Sequence, residues 1–159
     1  MIDEQVFEVH RRAFGPDEDI PRLVRELVDG GYAIPGLSFT AMSGNQVVGH
    51  VMTSWVTIEG SDARLPQLSP LGVLPEHQRQ GHGSALVRRT IDAVRALGEP
   101  ALLVEGNPKY YGRFGFVRAD EHGLLPPPEA LYDWAFQVAI FDRDRLPQGR
   151  VRYPPPFAH

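Results

Sequence analysis

The stretch from Leu68 to Leu97 places an apolar strand, a glycine-containing loop and an amphipathic helix in immediate succession, as LSPLGVLPEHQRQGHGSALVRRTIDAVRAL. The strand breaks at Pro75, and the loop that follows contains Gly81 and Gly83. The apolar residues of the helix recur at spacings that gather on one face, and they are Leu86, Val87, Ile91, Val94 and Leu97. This order predicts an α/β unit whose helix packs on a sheet.

The loop in front of this helix has the properties of an anion site. Backbone N–H groups in the first turn of a helix lack intrahelical partners, and the helix dipole adds partial positive charge there. Because Gly81 and Gly83 have no Cβ, the backbone can approach a phosphate closely, and Arg79 adds charge. The pattern favours a pyrophosphate, although two glycines before a helix also occur in purely structural turns.

Two commoner phosphate loops are excluded by missing residues. A P-loop requires Gly-Lys-Ser/Thr, but the only lysine of the chain is Lys109. A dinucleotide fingerprint requires a third glycine at the position of Leu86. The loop therefore belongs to another class.

Two ordered motifs resemble those of the GNAT superfamily of N-acetyltransferases. The acetyl-CoA motif of that family, V-x-P-x-x-Q/R-x-x-G-x-G/A, is matched at Val73, Pro75, Gln78, Gly81 and Gly83. A second block, NPKYYGRFGF at residues 107–116, is similar to the family's later helix and strand, an Asn followed by Y-x-x-x-G-F. The resemblance covers residues 36–118 well and the two ends loosely.

The resemblance implies an α/β fold of three layers, in which a mixed, mostly antiparallel sheet lies between helices on both faces. The strands at 65–73 and 101–104, the fourth and fifth in the family's order, would pair in parallel and splay to leave a cofactor slot. Family members begin with a short strand, which is expected to be missing or shortened here. One domain is expected over residues 1–159, with its core at 36–118 and a C-terminal loop, strand and extended tail at 119–159.

Hydrophobic periodicity and turn residues predict the individual elements. Gly44 and Asn45 indicate a hairpin turn, Gly49 a bulge, and Pro66 and Pro70 an irregular strand. Residues 119–133 are predicted to be a loop beside a substrate site, and the tail from 143 is predicted to lie extended over the surface. The predicted elements are helices at 2–14 and 20–28 and strands at 37–42, 47–58, 65–73, 101–104 and 135–141.

By the same resemblance, cofactor binding falls to Leu71, Gly72, Val73, Gln78, Arg79, Gln80, Gly81, His82, Gly83, Ser84, Asn107 and Tyr111. The backbone N–H of Val73 would face the thioester carbonyl of acetyl-CoA, and Tyr111 would meet the departing thiolate. Tyr110 is favoured as a packing residue. No metal site is expected.

The implied reaction is transfer of an acetyl group from acetyl-CoA to an amine by direct attack in a ternary complex. The chain has no cysteine, so an acyl-enzyme through sulfur is excluded. The base stays open among Glu59, Glu105, Ser69 acting through water, and none at all, while His50 is more typical of a core histidine. The alternatives are a non-catalytic acyl-CoA-binding module and an unrelated α/β protein with another phosphate ligand.

Composition restricts the partners. The formal net charge of −4 gives no reason to expect a nucleic acid or an anionic membrane. No apolar run approaches the ~20 residues that span a bilayer, so a cytoplasmic protein is expected. The acceptor is expected to be a small-molecule or peptide amine, bound by segments 15–37 and 119–133, and a homodimer is compatible with the fold.

Overall fold

Strand β2 (Gln46–Ile58) is the longest strand of the computed structural model, which describes residues 4–15 and 18–158. Strand β1 (Phe39–Ser43) pairs antiparallel with its first half across a turn at Gly44 and Asn45. Strand β3 (Arg64–Val73) pairs antiparallel along the opposite edge. The predicted hairpin and the strand after it are confirmed.

The strands form one mixed sheet. The five others are β4 (Ala101–Glu105), β5 (Val117–Arg118), β6 (Leu124–Leu125), β7 (Phe136–Ile140) and β8 (Gly149–Arg152). Their order is β5, β7, β4, β3, β2, β8 and β6, with β1 also beside β2. Within the described residues, the β3–β4 and β6–β8 pairs are parallel and the other pairs are antiparallel. The mostly antiparallel sheet and the parallel β3–β4 pair were predicted, whereas the β6–β8 pair was not.

Helices cover both faces of the sheet. Helices α1 (Glu4–Phe14) and α2 (Asp19–Asp29) lie on one face, and α3 (His82–Ala96) lies on the other. Successive side chains of a strand point to opposite faces. Val51 accordingly packs in the apolar cluster beneath α3, whereas Met52 packs in the cluster that contains residues of α2. The three-layer prediction is confirmed.

The parallel pair of strands separates early. Only Gln67 and Leu68 of β3 are paired with residues of β4, namely Leu103 and Val104. Beyond them β3 continues to Val73, whereas β4 ends and the chain enters a short helix, α4 (Pro108–Tyr111). Pro70 has no N–H with which to extend a ladder. The splayed slot predicted between these strands is therefore present.

Two irregularities shape β2 and β3. The register with β1 shifts between Ala41, opposite Gly49, and Met42, opposite Val47, so the extra residue is Val48. The bulge thus lies one residue from the position that the sequence indicates. A second shift opposes Met52 of β2 to Ser69 and Pro70 of β3, which is the local break predicted from the proline.

The C-terminal region corrects two expectations. Residues 119–133 are more than a loop, because they contain a 3-10 turn at Ala119–His122 and strand β6, and a second turn begins at Asp133. The tail does not merely cover the surface: β8 pairs with the end of β2, and its Val151 is buried. Four residues between prolines give little strand signal by themselves, and the partner strand lies far earlier in the chain.

Predictions for residues 1–3 and 16–17, including the missing first strand, lie outside the described residues. Among the described helices, none combines the length and the apolar character needed to cross a membrane.

Two buried histidines join α1 to β2. His10 Nε2 and His50 Nδ1 lie 2.8 Å apart, and both rings are shielded from solvent. Burial, with a further contribution from the charge of His50, lowers the pKa of His10 to about 3, and burial lowers the pKa of His50 to about 4. Both imidazoles are therefore neutral in the folded protein at neutral pH.

We expect this pair to make the fold acid-sensitive. In the unfolded chain both groups take up protons below a pKa of ~6.5, whereas in the folded protein they stay neutral until the pH nears 3 to 4. The free energy of unfolding is therefore unaffected by these two groups above their pKa in the unfolded chain, and it falls as the pH drops through that pKa. Urea unfolding at about pH 7.5 and about pH 5 should show a loss of about 4 kcal/mol, roughly 2 from each histidine.

The control is His122→Gln, which does not touch the pair and should keep the wild-type pH dependence. In NMR spectra, the Cε1 protons of His10 and His50 should retain neutral-form shifts down to about pH 5. A free energy of unfolding that is constant over this interval would contradict the assignment.

Candidate active site

A groove of about 540 Å³ opens where β3 runs on without β4. Its lining comes from the end of β3, the glycine-containing loop, the start of α3 and the region of α4. The residues are Leu71, Val73, Gln78, Arg79, Gly81, Gly83, Ser84, Tyr110 and Arg113. Seven of these nine residues were predicted from the sequence to bind the cofactor.

The end of β3 presents a free backbone edge to this groove. Leu74 N donates to Val48 O at 2.8 Å, so its backbone faces β2. Backbone groups of successive strand residues point to opposite edges, so the N–H groups of Leu71 and Val73 point away from β2. β4 has already ended on that side, and the Gln78 Nε2 atom donates to Val73 O at 3.1 Å.

The loop backbone is shaped by two residues with positive φ. Gly81 caps α3 at φ 89°, and Arg79 has φ 63°, the only positive value at a described non-glycine residue. Positive φ is unfavourable for an L-residue such as arginine, and such strain concentrates at functional sites. A Cβ at Gly83 would lie 3.0 Å from the Tyr110 hydroxyl, so the start of α3 and Tyr110 leave little space between them.

Five predicted residues do not line the groove. A Cβ at Gly72 would lie 2.9 Å from His10 Nδ1, so this residue faces α1. The side chain of Gln80 bonds to Glu76 O, and His82 lies edge-on to His77. The other two are Asn107 and Tyr111. Asn107 accepts a hydrogen bond from Lys109 N at 2.9 Å and so caps α4.

Tyr111 packs below the groove, not along it. Its ring lies against Gly106, where a Cβ would be 2.5 Å from Tyr111 Cε2, and edge-on to Phe116. Burial, with a smaller contribution from Tyr110, raises the pKa of Tyr111 well above the usual range of a phenol. The side chain therefore holds its proton firmly.

Sequence reasoning favoured neither Tyr110 nor Arg113, the two further residues of the groove. Arg113 Nη2 donates to Ser84 Oγ at 3.1 Å, and its guanidinium lies over the Tyr110 ring. Residues three apart share a face of a helical turn, whereas neighbours such as Tyr111 diverge. The spacing of Tyr110 and Arg113 was therefore a usable signal.

A second and larger cavity, of about 950 Å³, adjoins the same strand. Gln67 and Ser69 of β3 line it, as do Glu105, Gly106 and Asn107 beyond the gap. The remaining walls come from α2, from residues 129–135 and from the C-terminal segment. They are Ile20, Leu23, Glu129, Leu131, Tyr132, Trp134, Ala135, Tyr153 and Phe157.

The candidate bases are distributed unequally. Glu105 lies in the larger cavity, where Tyr153 Oη donates to Oε1 at 2.8 Å and Leu131 N donates to Oε2 at 3.1 Å. Ser69 also lines this cavity. Glu59 lies elsewhere, 3.4 Å from Arg152 and lining a different depression.

The chain matches known acetyltransferases over most of its length. The family model described as "Acetyltransferase (GNAT) domain" matches residues 3–119. The N-acetyltransferase YhbS of Escherichia coli K12 is 35% identical over 139 residues, which are 86% of this chain and 80% of YhbS. YjhQ of the same strain, also an N-acetyltransferase, is 38% identical over 111 residues, which are 69% of this chain and 61% of YjhQ.

Similar solved structures belong to the same family. YhbS from Escherichia coli in complex with CoA gives a TM-score of 0.86 at 30% identity and covers 98% of this chain and 86% of that one. A GNAT family acetyltransferase from Brucella melitensis in complex with acetyl-CoA gives 0.77 at 29%, covering 96% and 90%. The fold and its groove thus define an acyltransferase architecture. The chain belongs to the GNAT superfamily and is an acetyl-CoA-dependent N-acetyltransferase.

The close contact between Gly106 and Tyr111 can be tested through the free energy of unfolding. Gly106→Ala should lower the free energy of unfolding by about 1–3 kcal/mol, because the new methyl group must displace the Tyr111 ring. Gly112→Ala is the matched control, since a Cβ there meets nothing within 4 Å and its φ of −58° suits alanine. Equal urea midpoints for both variants would contradict this placement of Tyr111.

Proposed function

We propose that acetyl-CoA binds in the groove between β3 and α4, with its pyrophosphate at the N-terminus of α3. The observation that carries the proposal is the free edge of β3 directly beside that helix start. The N–H groups of residues 79–84, with Arg79 and Arg113, would meet the phosphates. The pantetheine amides would pair with the exposed edge at Leu71–Val73, as an added strand does.

The reaction that this arrangement supports is direct transfer in a ternary complex. The amine nitrogen attacks the thioester carbonyl carbon, the C–S bond breaks, and the acetyl group becomes an amide. A chain without cysteine offers no thiol for a covalent thioester intermediate. Transfer through a trapped acetyl-enzyme would exclude this route.

Three groups would act on the charges that develop. The Val73 N–H would stabilise the oxyanion, a contribution of about 3 kcal/mol for a well-aimed donor. By the family resemblance, Tyr111 would give its proton to the CoA thiolate. Burial keeps its phenol protonated at neutral pH, and donation would require the pKa of Tyr111 to fall when the thiolate forms beside it. Glu105 would accept the proton that the amine loses, directly or through water, because it lies in the cavity that adjoins the groove.

Several expectations from the sequence stay predictions. These are the single domain over residues 1–159, the cytoplasmic location, the absence of nucleic acid and membrane partners, and the homodimer.

A negative charge in the phosphate cradle should abolish cofactor binding. We expect Gly83→Asp to weaken CoA binding by at least ~100-fold in isothermal titration, because its carboxylate would repel the pyrophosphate and crowd Tyr110. Ala85→Asp is the matched control: it adds the same charge to the same helical turn, at an exposed position outside the groove. Comparable affinities for the two variants would mean that the loop is misassigned.

The roles of Tyr110 and Tyr111 can be distinguished by removing the phenol hydroxyl of each in turn. Tyr111→Phe should lower kcat by about 10²-fold and leave CoA affinity nearly unchanged. The loss should be no larger, because a thiol of pKa ~8.5 is already a fair leaving group without a proton donor. Tyr110→Phe should act mainly on CoA affinity, since Tyr110 lines the groove. The reverse pattern would assign the proton-donor role to Tyr110. Binding of CoA without acetyl transfer to any amine would indicate a non-catalytic acyl-CoA-binding module.

A further inference from the structure

The cavity beside β3 and β4 has a largely apolar wall. Leu131, Tyr132 and Trp134 project at its mouth with 82%, 56% and 50% of their surface exposed. The rings of Tyr132 and Trp134 are stacked, 5.0 Å apart and inclined by 17°. The apolar residues Ile20, Leu23, Ala135 and Phe157 extend this wall. A flat or bulky apolar group fits such a surface.

Two side chains of the cavity offer hydrogen-bond acceptors with unused capacity, Gln67 and Glu105. Gln67 is 2% exposed, and its Oε1 atom has no hydrogen-bond partner although it is buried. The carboxylate of Glu105 is held by Tyr153 and Leu131 and keeps further lone pairs. Both side chains lie at the end of the β3–β4 pairing. A buried acceptor without a partner is costly, so these atoms favour a ligand that donates several protons, as an ammonium group does.

The charge of the cavity restricts the rest of the ligand. Its two ionisable carboxyl side chains belong to Glu105 and Glu129, and none of the described residues that line it is basic. A carboxylate or phosphate on the ligand would therefore meet like charge and no cation. An ordinary free amino acid is disfavoured for this reason.

We propose that this cavity is the acceptor site and that it selects primary amines that carry one large apolar or aromatic group and no acidic group. The ammonium end is held at Gln67 and Glu105, and the apolar body lies against Tyr132 and Trp134. The assignment rests on the proposed function, because it places the acceptor beside the acetyl-CoA groove.

The substrate class is tested with matched amines in a thiol-release assay. The protein itself contributes no thiol, since it has no cysteine. We expect kcat/KM for 2-phenylethylamine and tryptamine to exceed that for phenylalanine and for putrescine by at least ~10-fold. Phenylalanine adds only a carboxylate to the first amine, and putrescine replaces the ring with a second cation. A preference for phenylalanine, for putrescine or for peptide amines would overturn the proposal.

Variants locate the two ends of the acceptor. Trp134→Ala should raise the KM for 2-phenylethylamine roughly tenfold without changing CoA affinity. Leu97→Ala is the control, because it removes an equally exposed apolar side chain at the end of α3, outside the cavity. Glu105→Gln should lower kcat and shift the pH dependence of the rate, and an unchanged profile would remove Glu105 from the site.

Direct binding separates failure of this inference from failure of the proposed function. The chain has two tryptophans, so a Trp55→Phe variant leaves Trp134 as the only tryptophan, which can be excited selectively at wavelengths where tyrosine absorbs little. In the presence of CoA, 2-phenylethylamine should change Trp134 fluorescence saturably, whereas phenylalanine should not. CoA binding without this change, with acetylation of another amine class, would overturn the acceptor assignment alone. Absence of CoA binding in the titration would overturn the proposed function.

Discussion

The early end of the pairing between β3 and β4 is the constraint on which the site depends. Two residue pairs hold these parallel strands together, and the chain after β4 then turns away at Gly106 into α4. The rest of β3 is left with one edge paired to β2 and the other edge open. An extended ligand can replace the missing strand there. The same divergence lets the glycine-containing loop bring the start of α3 to the end of that edge.

The larger cavity depends on parts of the chain that are remote in sequence. Glu105 ends β4, but its two oxygens accept hydrogen bonds from Tyr153 in the C-terminal segment and from the backbone at Leu131. Burial, with the negative charge of Glu105, raises the pKa of Tyr153, so its phenol remains a hydrogen-bond donor. β8 holds the C-terminal segment by pairing with β2. Packing of the tail and orientation of the carboxylate are thus one structural feature.

Packing of α1 on the other side of β3 places a second constraint on that strand. Gly72 lies so close to His10 that no side chain fits between them, which allows α1 to approach β3. His10 in turn contacts His50, so the neutral imidazole pair joins α1 to β2 and lies against Gly72 of β3. A glycine predicted to serve the cofactor through its backbone therefore also serves helix packing. This second role has no signature in the motif itself.

The amino-acid sequence by itself determined the order of most elements, the glycine-containing loop before α3 and the family, because these depend on local periodicity, turn residues and fixed spacings. Seven groove residues follow from the motif between Leu71 and Ser84 for the same reason. It did not reveal β8, the inward position of the tail, or the positions of Tyr110 and Tyr111 relative to the groove. The first two are decided by contacts between distant segments, Val151 against β2 and Tyr153 against Glu105. The inward position of Tyr111 depends on its packing against the nearby Gly106 and Phe116. Such contacts depend on how the sheet brings its edges together, and only the tertiary structure decides that.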